Sequence, residues 1–163
     1  MKTITTFIVL LLLAVTAWSD KPYGMSAAVA SSHASNACDL LSASDVQAVF
    51  GQAMTMKNVA PEVCEFTQAA NPSALSVQLT VIHYDSSEAA SKGLVFVSGG
   101  KRAKPLTDLG EQAARFRDNA LGLTKVTVRK GLTVFSIHCV GPLDGEIALQ
   151  NLQTLARQIA GKV

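Results

Sequence analysis

Residues 4–17 read Ile-Thr-Thr-Phe-Ile-Val-Leu-Leu-Leu-Leu-Ala-Val-Thr-Ala, a run without a single charge, and Lys2 stands just ahead of it. A basic start, an apolar core and small residues at Val15-Thr16-Ala17 follow the order of a secretory signal peptide. The run is shorter than the ~20 residues that a spanning helix requires. The expectation is therefore that 1–17 is a signal peptide and that the mature protein is periplasmic or secreted. After cleavage no stable membrane span is expected. This constrains the fold in two ways: it must be built from the residues beyond the leader, and it must form where thiols oxidise.

The remainder of the chain has the length of one domain, enough to bury a sizeable core without a metal. Hydrophobic residues make up 48% of the chain, a figure the leader inflates, and charged residues 16%. The formal net charge of +2 gives no electrostatic case for a nucleic acid partner or an anionic membrane surface. Residues 18–36 are small and polar, without periodicity, and read as a flexible spacer. The single folded domain is expected over 37–163.

There are three cysteines. Cys38 and Cys64 flank the first helix and the first strands, whereas Cys139 lies inside the apolar run Phe135-Ser136-Ile137-His138-Cys139-Val140. The expected arrangement pairs Cys38 with Cys64 and leaves Cys139 as a buried thiol acting as a small hydrophobe. The bridge would close a loop of roughly 27 residues, for which the chain-entropy estimate is about 3.5 kcal/mol. Cys38 lies some twenty residues past the apolar run, too far to accept a lipid at the leader's end.

Local signals give the elements. Ser42 and Asp45 form a capping box, with Leu41 and Val46 as a hydrophobic staple and Gly51 as the stop. Extended stretches are expected at 54–59 and 63–67, with Pro61 between them. Residues 75–81 alternate Leu75, Val77, Leu79 and Val81 with Ser76, Gln78 and Thr80, a strand with one buried face. A second helix is expected from a cap at Asp85, with Glu88 three residues on, to Gly99-Gly100. The basic stretch Gly100-Lys101-Arg102-Ala103-Lys104-Pro105 reads as a solvated loop. The overlapping Ser98-Gly99-Gly100-Lys101-Arg102 does not match a phosphate-loop pattern and comes after a helix instead of preceding one. Strands are expected at 112–118 and 124–129, a turn at Lys130-Gly131, and a strand at 132–140 that is apolar on both faces and so central. Asp144 caps a last helix that places Ala148, Leu152, Leu155 and Ile159 on one side and stops at Gly161.

The predicted class is α+β: a largely antiparallel sheet with helices on one face, arranged as two halves in which strands lead into a capped helix. The other face would carry Ser76, Gln78, Thr80, Lys125, Thr127 and Arg129. Lys125, Thr127 and Arg129 are the candidate binding face.

The segments Ala37-Cys38-Asp39-Leu40-Leu41-Ser42, Cys64-Glu65-Phe66, Asp108-Leu109-Gly110-Glu111-Gln112-Ala113 and Val128-Arg129-Lys130-Gly131 occur in that order. Over residues 37–160 this resembles a family of small exported bacterial lipoproteins classed as a domain of unknown function. In that family a Cys-x-Leu-Leu-Thr-like opening pairs with a second cysteine, and a Gly-Leu-Gly-Asp/Glu-x-Ala strand leads into a hairpin. It is similar, more distantly, to extracellular sensor domains of receptor kinases. The resemblance implies the Cys38–Cys64 bridge and no catalytic residue. The chain departs from the family in lacking the lipid-accepting cysteine.

Reactive constellations are sparse. Cys139 sits mid-strand, not at a helix N-terminus that would activate it. His33, His83 and His138 lack ligand-spaced partners. Asp108, Glu111, Asp118 and Asp144 form no evident pair with split roles. The expectation is a non-enzymatic extracytoplasmic binding or interaction domain without catalytic residue, metal or cofactor, whose partner is an envelope protein or a small ligand. The alternatives are an extracytoplasmic enzyme using Cys139 with a histidine, and a sensor or inhibitor module acting through the polar sheet face.

Overall fold

The computed structural model describes residues 36–163. The expected signal peptide (1–17), nearly all of the expected spacer (18–36) and His33 lie outside the described residues. The elements run α1 (Ala37–Leu40), α2 (Ala43–Phe50), β1 (Met54–Ala60), β2 (Val63–Gln68), β3 (Ser76–His83), α3 (Ser87–Ser98), a 3₁₀ turn (Gly100–Arg102), β4 (Lys104–Leu106), β5 (Gln112–Asp118), β6 (Leu123–Lys130), β7 (Thr133–Val140) and α4 (Gly145–Ala160). The seven strands form one antiparallel sheet in the order β1-β2-β3-β7-β6-β5-β4. Two meanders meet at its centre, where β3 pairs with β7, and α3 carries the chain from β3 to the far edge at β4. The α+β class and the antiparallel sheet are as the sequence predicts.

Register fixes which side chains share a face. Val77, Leu79 and Val81 of β3 stand opposite Cys139, Ile137 and Phe135 of β7, and Val126 and Val128 of β6 stand opposite Ile137 and Phe135. These residues are buried in one core with Leu152, Leu155 and Ile159 of α4. Leu40 of α1, Leu41 just after it and Val46 of α2 extend the same core over β1–β3. Ser42 caps α2 as expected: its Oγ accepts from Asp45 N at 3.2 Å, and the Asp45 Oδ2 accepts from Ser42 N at 2.9 Å.

Three expectations need correction. The helices do not all share one face: α3 packs on the opposite side of the sheet, where Ala90 and Leu94 cluster with Val134 and Tyr84. The Tyr84 ring lies so close over Gly93 that a Cβ there would collide with it. The two strand-and-helix halves are thus not equivalent, since α3 and α4 dock on opposite faces of β6 and β7. Second, the cap of α3 is Ser86, whose Oγ accepts from Ala89 N at 3.2 Å, not Asp85. Third, part of the basic stretch read as a loop is the short edge strand β4, which pairs with β5.

Alternation in β6 marked its second face as wet, yet it is covered. Period two identifies the apolar face; it does not show that the other face meets solvent. Thr127 is small and Lys125 is amphipathic, so a helix can lie over both.

Candidate functional site

The residues singled out from sequence are mostly absorbed by the fold. Cys38 and Cys64 are bonded, with Sγ–Sγ 2.07 Å and a sequence separation of 26, and tie α1 to β2. Lys125 reaches under α3, where its Nζ donates to Val97 O at 3.2 Å, and burial pushes its ammonium below the usual lysine range. A cation at the last turn of a helix satisfies carbonyls that lack an intrahelical partner. Thr127 is 0% exposed and its hydroxyl has no hydrogen-bond partner among the described residues. Arg129 ion-pairs with Glu111 at 2.8 Å and donates to Gln112 Oε1 at 3.0 Å and to Gly131 O at 3.1 Å. This set pins the β6–β7 turn, where Gly131 supplies the positive φ, to the start of β5. Lys125, Thr127 and Arg129 therefore do not form an open platform. The uncovered part of that face lies over β1–β3, where Thr55 bonds Thr67 at 3.0 Å.

Nor does the fold assemble a cysteine–histidine pair. Cys139 faces the main core opposite Val77, and burial pushes its thiol up to about 11. His138, its neighbour in β7, points to the other face, where burial and then the Lys125 charge lower its pKa. His83 shares the face of Cys139 but lies six residues further along β3 than Val77, about 20 Å away by strand rise. Its Nδ1 is 2.9 Å from Thr133 Oγ1.

Among the described residues a concave site lies elsewhere, between the β4–β5 edge and the start of α4. It is a cleft of about 280 Å³ lined by Arg102, Lys104, Arg115, Arg117, Glu146 and Leu149 among others. The backbone brings the cations together. Lys104 stands directly opposite Arg115 across the β4–β5 pair, and Arg117 comes two residues on, on the same face. Arg102 borders the cleft from the 3₁₀ turn, but its guanidinium lies over the Phe116 ring, 4.9 Å from the centroid, on the α3 side of β5 and not beside Arg115 and Arg117.

Arg117 is the most constrained of the four. Its Nη1 donates to Glu146 Oε1 at 3.3 Å. Its guanidinium occupies the space that a Cβ on the buried Gly145 would take, so only glycine at the first residue of α4 admits it. A cation over a helix N-terminus opposes the helix dipole. Asp144 offsets this: its Oδ1 accepts from Glu146 N at 2.9 Å and Ile147 N at 3.2 Å, and these bonds, with Arg117 beside it, hold its carboxyl below the usual range. The first-turn amides are thus occupied, and the cations of the cleft are side chains. Arg117, Asn119, Thr124 and Gly145 also line an adjoining hollow of about 130 Å³.

Among the described residues, Arg102, Lys104 and Arg115 have no carboxylate at ion-pairing distance. Like charges directly opposite in a sheet are destabilising. Protection of an exposed edge accounts for Lys104 and Pro105 on β4. It does not account for Arg115 and Arg117 on β5, which is paired on both sides. Sequence reasoning saw the basic stretch but not its convergence with β5, because Arg115 and Arg117 are an unremarkable alternation until β4 pairs beside them.

No protein-family model matches the chain, and no curated protein matches it. Among the described residues no helix is long and apolar enough to cross a membrane.

Proposed function

We propose that this protein is a non-enzymatic, exported binding domain whose ligand is an anion held in the β4–β5 cleft. The observation that carries the reading is the pairing of Lys104 opposite Arg115 with Arg117 beside them. These cations face one cavity with only Glu146 as counter-charge. Such an arrangement raises the energy of the empty protein, and an anion relieves it through charge-assisted, forked hydrogen bonds.

Export is supported by the leader pattern of residues 1–17 and by a cysteine pair suited to an oxidising compartment. Kinship with the exported lipoproteins of unknown function is proposed on the order of the four quoted motifs. The inert environment of Cys139 favours binding over thiol chemistry.

The test is a panel of simple anions, including inorganic phosphate, sulfate, acetate and citrate. Each is titrated into the mature protein and into an Arg115→Glu/Arg117→Glu variant, with thermal stability as the readout. The reading predicts anion-dependent stabilisation of the native protein that the variant lacks. Equal response in both would place anion binding elsewhere, and no response in either would end the reading.

A further inference from the structure

Resting on that reading, we propose that the anion is one doubly charged oxyanion of the phosphate type, a phosphomonoester or the free ion, gripped between Lys104 and Arg115. The β4–β5 register sets the geometry. Lys104 stands directly opposite Arg115, which puts their Cβ atoms about 5 Å apart on one face of the sheet. Both side chains line the cleft. Arg117 shares that face but is already ion-paired with Glu146 at 3.3 Å, and Arg102 lies over Phe116 on the other side of β5. Among the described residues, Lys104 and Arg115 are thus the two cleft cations on this face without a carboxylate at ion-pairing distance.

Charge and oxygen count then select the ligand. A singly charged group would neutralise one cation and leave its neighbour unpaired, whereas a dianion neutralises both. Arg115 can form a fork to two oxygens. A carboxylate presents just two, both engaged by that fork, so Lys104 would have to share one. A phosphoryl group brings a third acceptor oxygen for the Lys104 ammonium and, near neutral pH, close to two negative charges.

The surroundings fit a single group of this kind. The Arg117–Glu146 pair makes the neighbouring wall close to neutral, so a second anionic group would find no further free cation on this face of the cleft. Asp144 occupies the first-turn amides at Glu146 and Ile147, so the start of α4 offers no second anion position either. Leu149 gives an uncharged ester portion an apolar surface within the same cleft of about 280 Å³.

Calorimetry on the disulfide-bonded protein with methyl phosphate, dimethyl phosphate, inorganic phosphate, sulfate and acetate tests the proposal. Near neutral pH, methyl phosphate should bind at least about tenfold tighter than the singly charged dimethyl phosphate and acetate, the scale of one added charge-assisted hydrogen bond. From about pH 7.5 to about pH 5 its affinity should fall about tenfold, because its second proton returns near pH 6. Sulfate, doubly charged throughout, should hold its affinity. Lys104→Gln and Arg115→Gln should each bring methyl phosphate down to the dimethyl phosphate level. Arg117→Gln leaves Glu146 without its partner, so it should weaken every probe and keep the ratio of methyl to dimethyl phosphate. Equal affinity for methyl and dimethyl phosphate, a parallel fall for sulfate, or a preference lost in Arg117→Gln but kept in the other two variants would overturn the proposal while leaving an anion-binding cleft in place. Absence of binding by all five would overturn both. Methyl phosphate binding as tightly as inorganic phosphate marks an esterified ligand, and much tighter binding of inorganic phosphate marks the free ion; either outcome supports the shared chemistry.

Discussion

The two edges of the sheet are held by different physics. At the β1 edge, the seven-residue strand Met54–Ala60 lies beside a covalent staple, Cys38–Cys64, and under α1, α2 and the link between them, from which Leu40, Leu41 and Val46 are buried in the main core. At the β4 edge the strand is three residues long, Lys104–Leu106, and four cations crowd one cleft. The first edge has the covalent tie and the core cover that a small domain needs for persistence. The second sets Lys104 opposite Arg115, a like-charge pair that edge protection explains only on the β4 side, and local conflict of this kind is what the proposed anion binding would leave in the fold.

The sharpest way to break this comparison is to remove the staple. Cys38→Ala/Cys64→Ala should lower unfolding stability by about 3.5 kcal/mol on the chain-entropy estimate. Anion affinity at temperatures where the variant is still folded should be unchanged. Urea titration and calorimetry on the same sample read both. The mirror-image change is Arg117→Gln at the other edge. It should weaken anion binding about tenfold, the scale of a lost charge-assisted hydrogen bond, while shifting stability by less than about 0.5 kcal/mol. If the two variants moved the same quantity, the edges would not be functionally distinct.

Gly145→Ala sharpens the point further. Its new Cβ falls where the Arg117 guanidinium lies. Arg117 is a long side chain and can retreat, so stability should barely change, but anion affinity should fall severalfold because the Arg117 guanidinium is displaced from its place in the cleft. On the covered face, Thr127→Val should be neutral or stabilising by up to about 1 kcal/mol, since it removes a buried hydroxyl without a partner and keeps the shape. A loss of stability there would mean that the hydroxyl has a partner in solution.

The smallest expected effect is in acid. Bonds from Ser42 and its backbone hold Asp45 below its ordinary value of 3.8, and the first-turn amides of α4 do the same for Asp144. A carboxylate whose folded pKa is depressed stabilises the fold fully above its ordinary value and loses that contribution as pH falls through the lowered one. Stability should thus be flat down to about pH 4 from these groups and decline below it. Asp144→Asn, which keeps a capping oxygen without the charge, should reduce that decline and slightly raise anion affinity by removing a negative charge beside Arg117.

Much of this architecture was legible in sequence, and the limits were physical. The capping box at Ser42, the β3 alternation, the central β7 and the α4 stripe rest on short-range rules that tertiary packing did not override. The cover by α3 was not legible, because polar side chains at Lys125 and Thr127 look the same whether they meet water or a helix. The displacement of the cap from Asp85 to Ser86 is a one-residue matter that either side chain could satisfy. The cleft depended on a pairing between β4 and β5, and the three-residue β4, with a proline at its centre, carries no strand signal of its own.

The most direct test of the central claim is arginine side-chain NMR on the disulfide-bonded protein, titrated with inorganic phosphate. Resonances of Arg115 and Arg117 should shift together and saturate, with those of Arg129 at the β6–β7 turn unmoved. Unchanged Arg115 and Arg117 resonances, or shifts spread evenly over Arg129 and the remaining arginines, would contradict a built anion site at this edge.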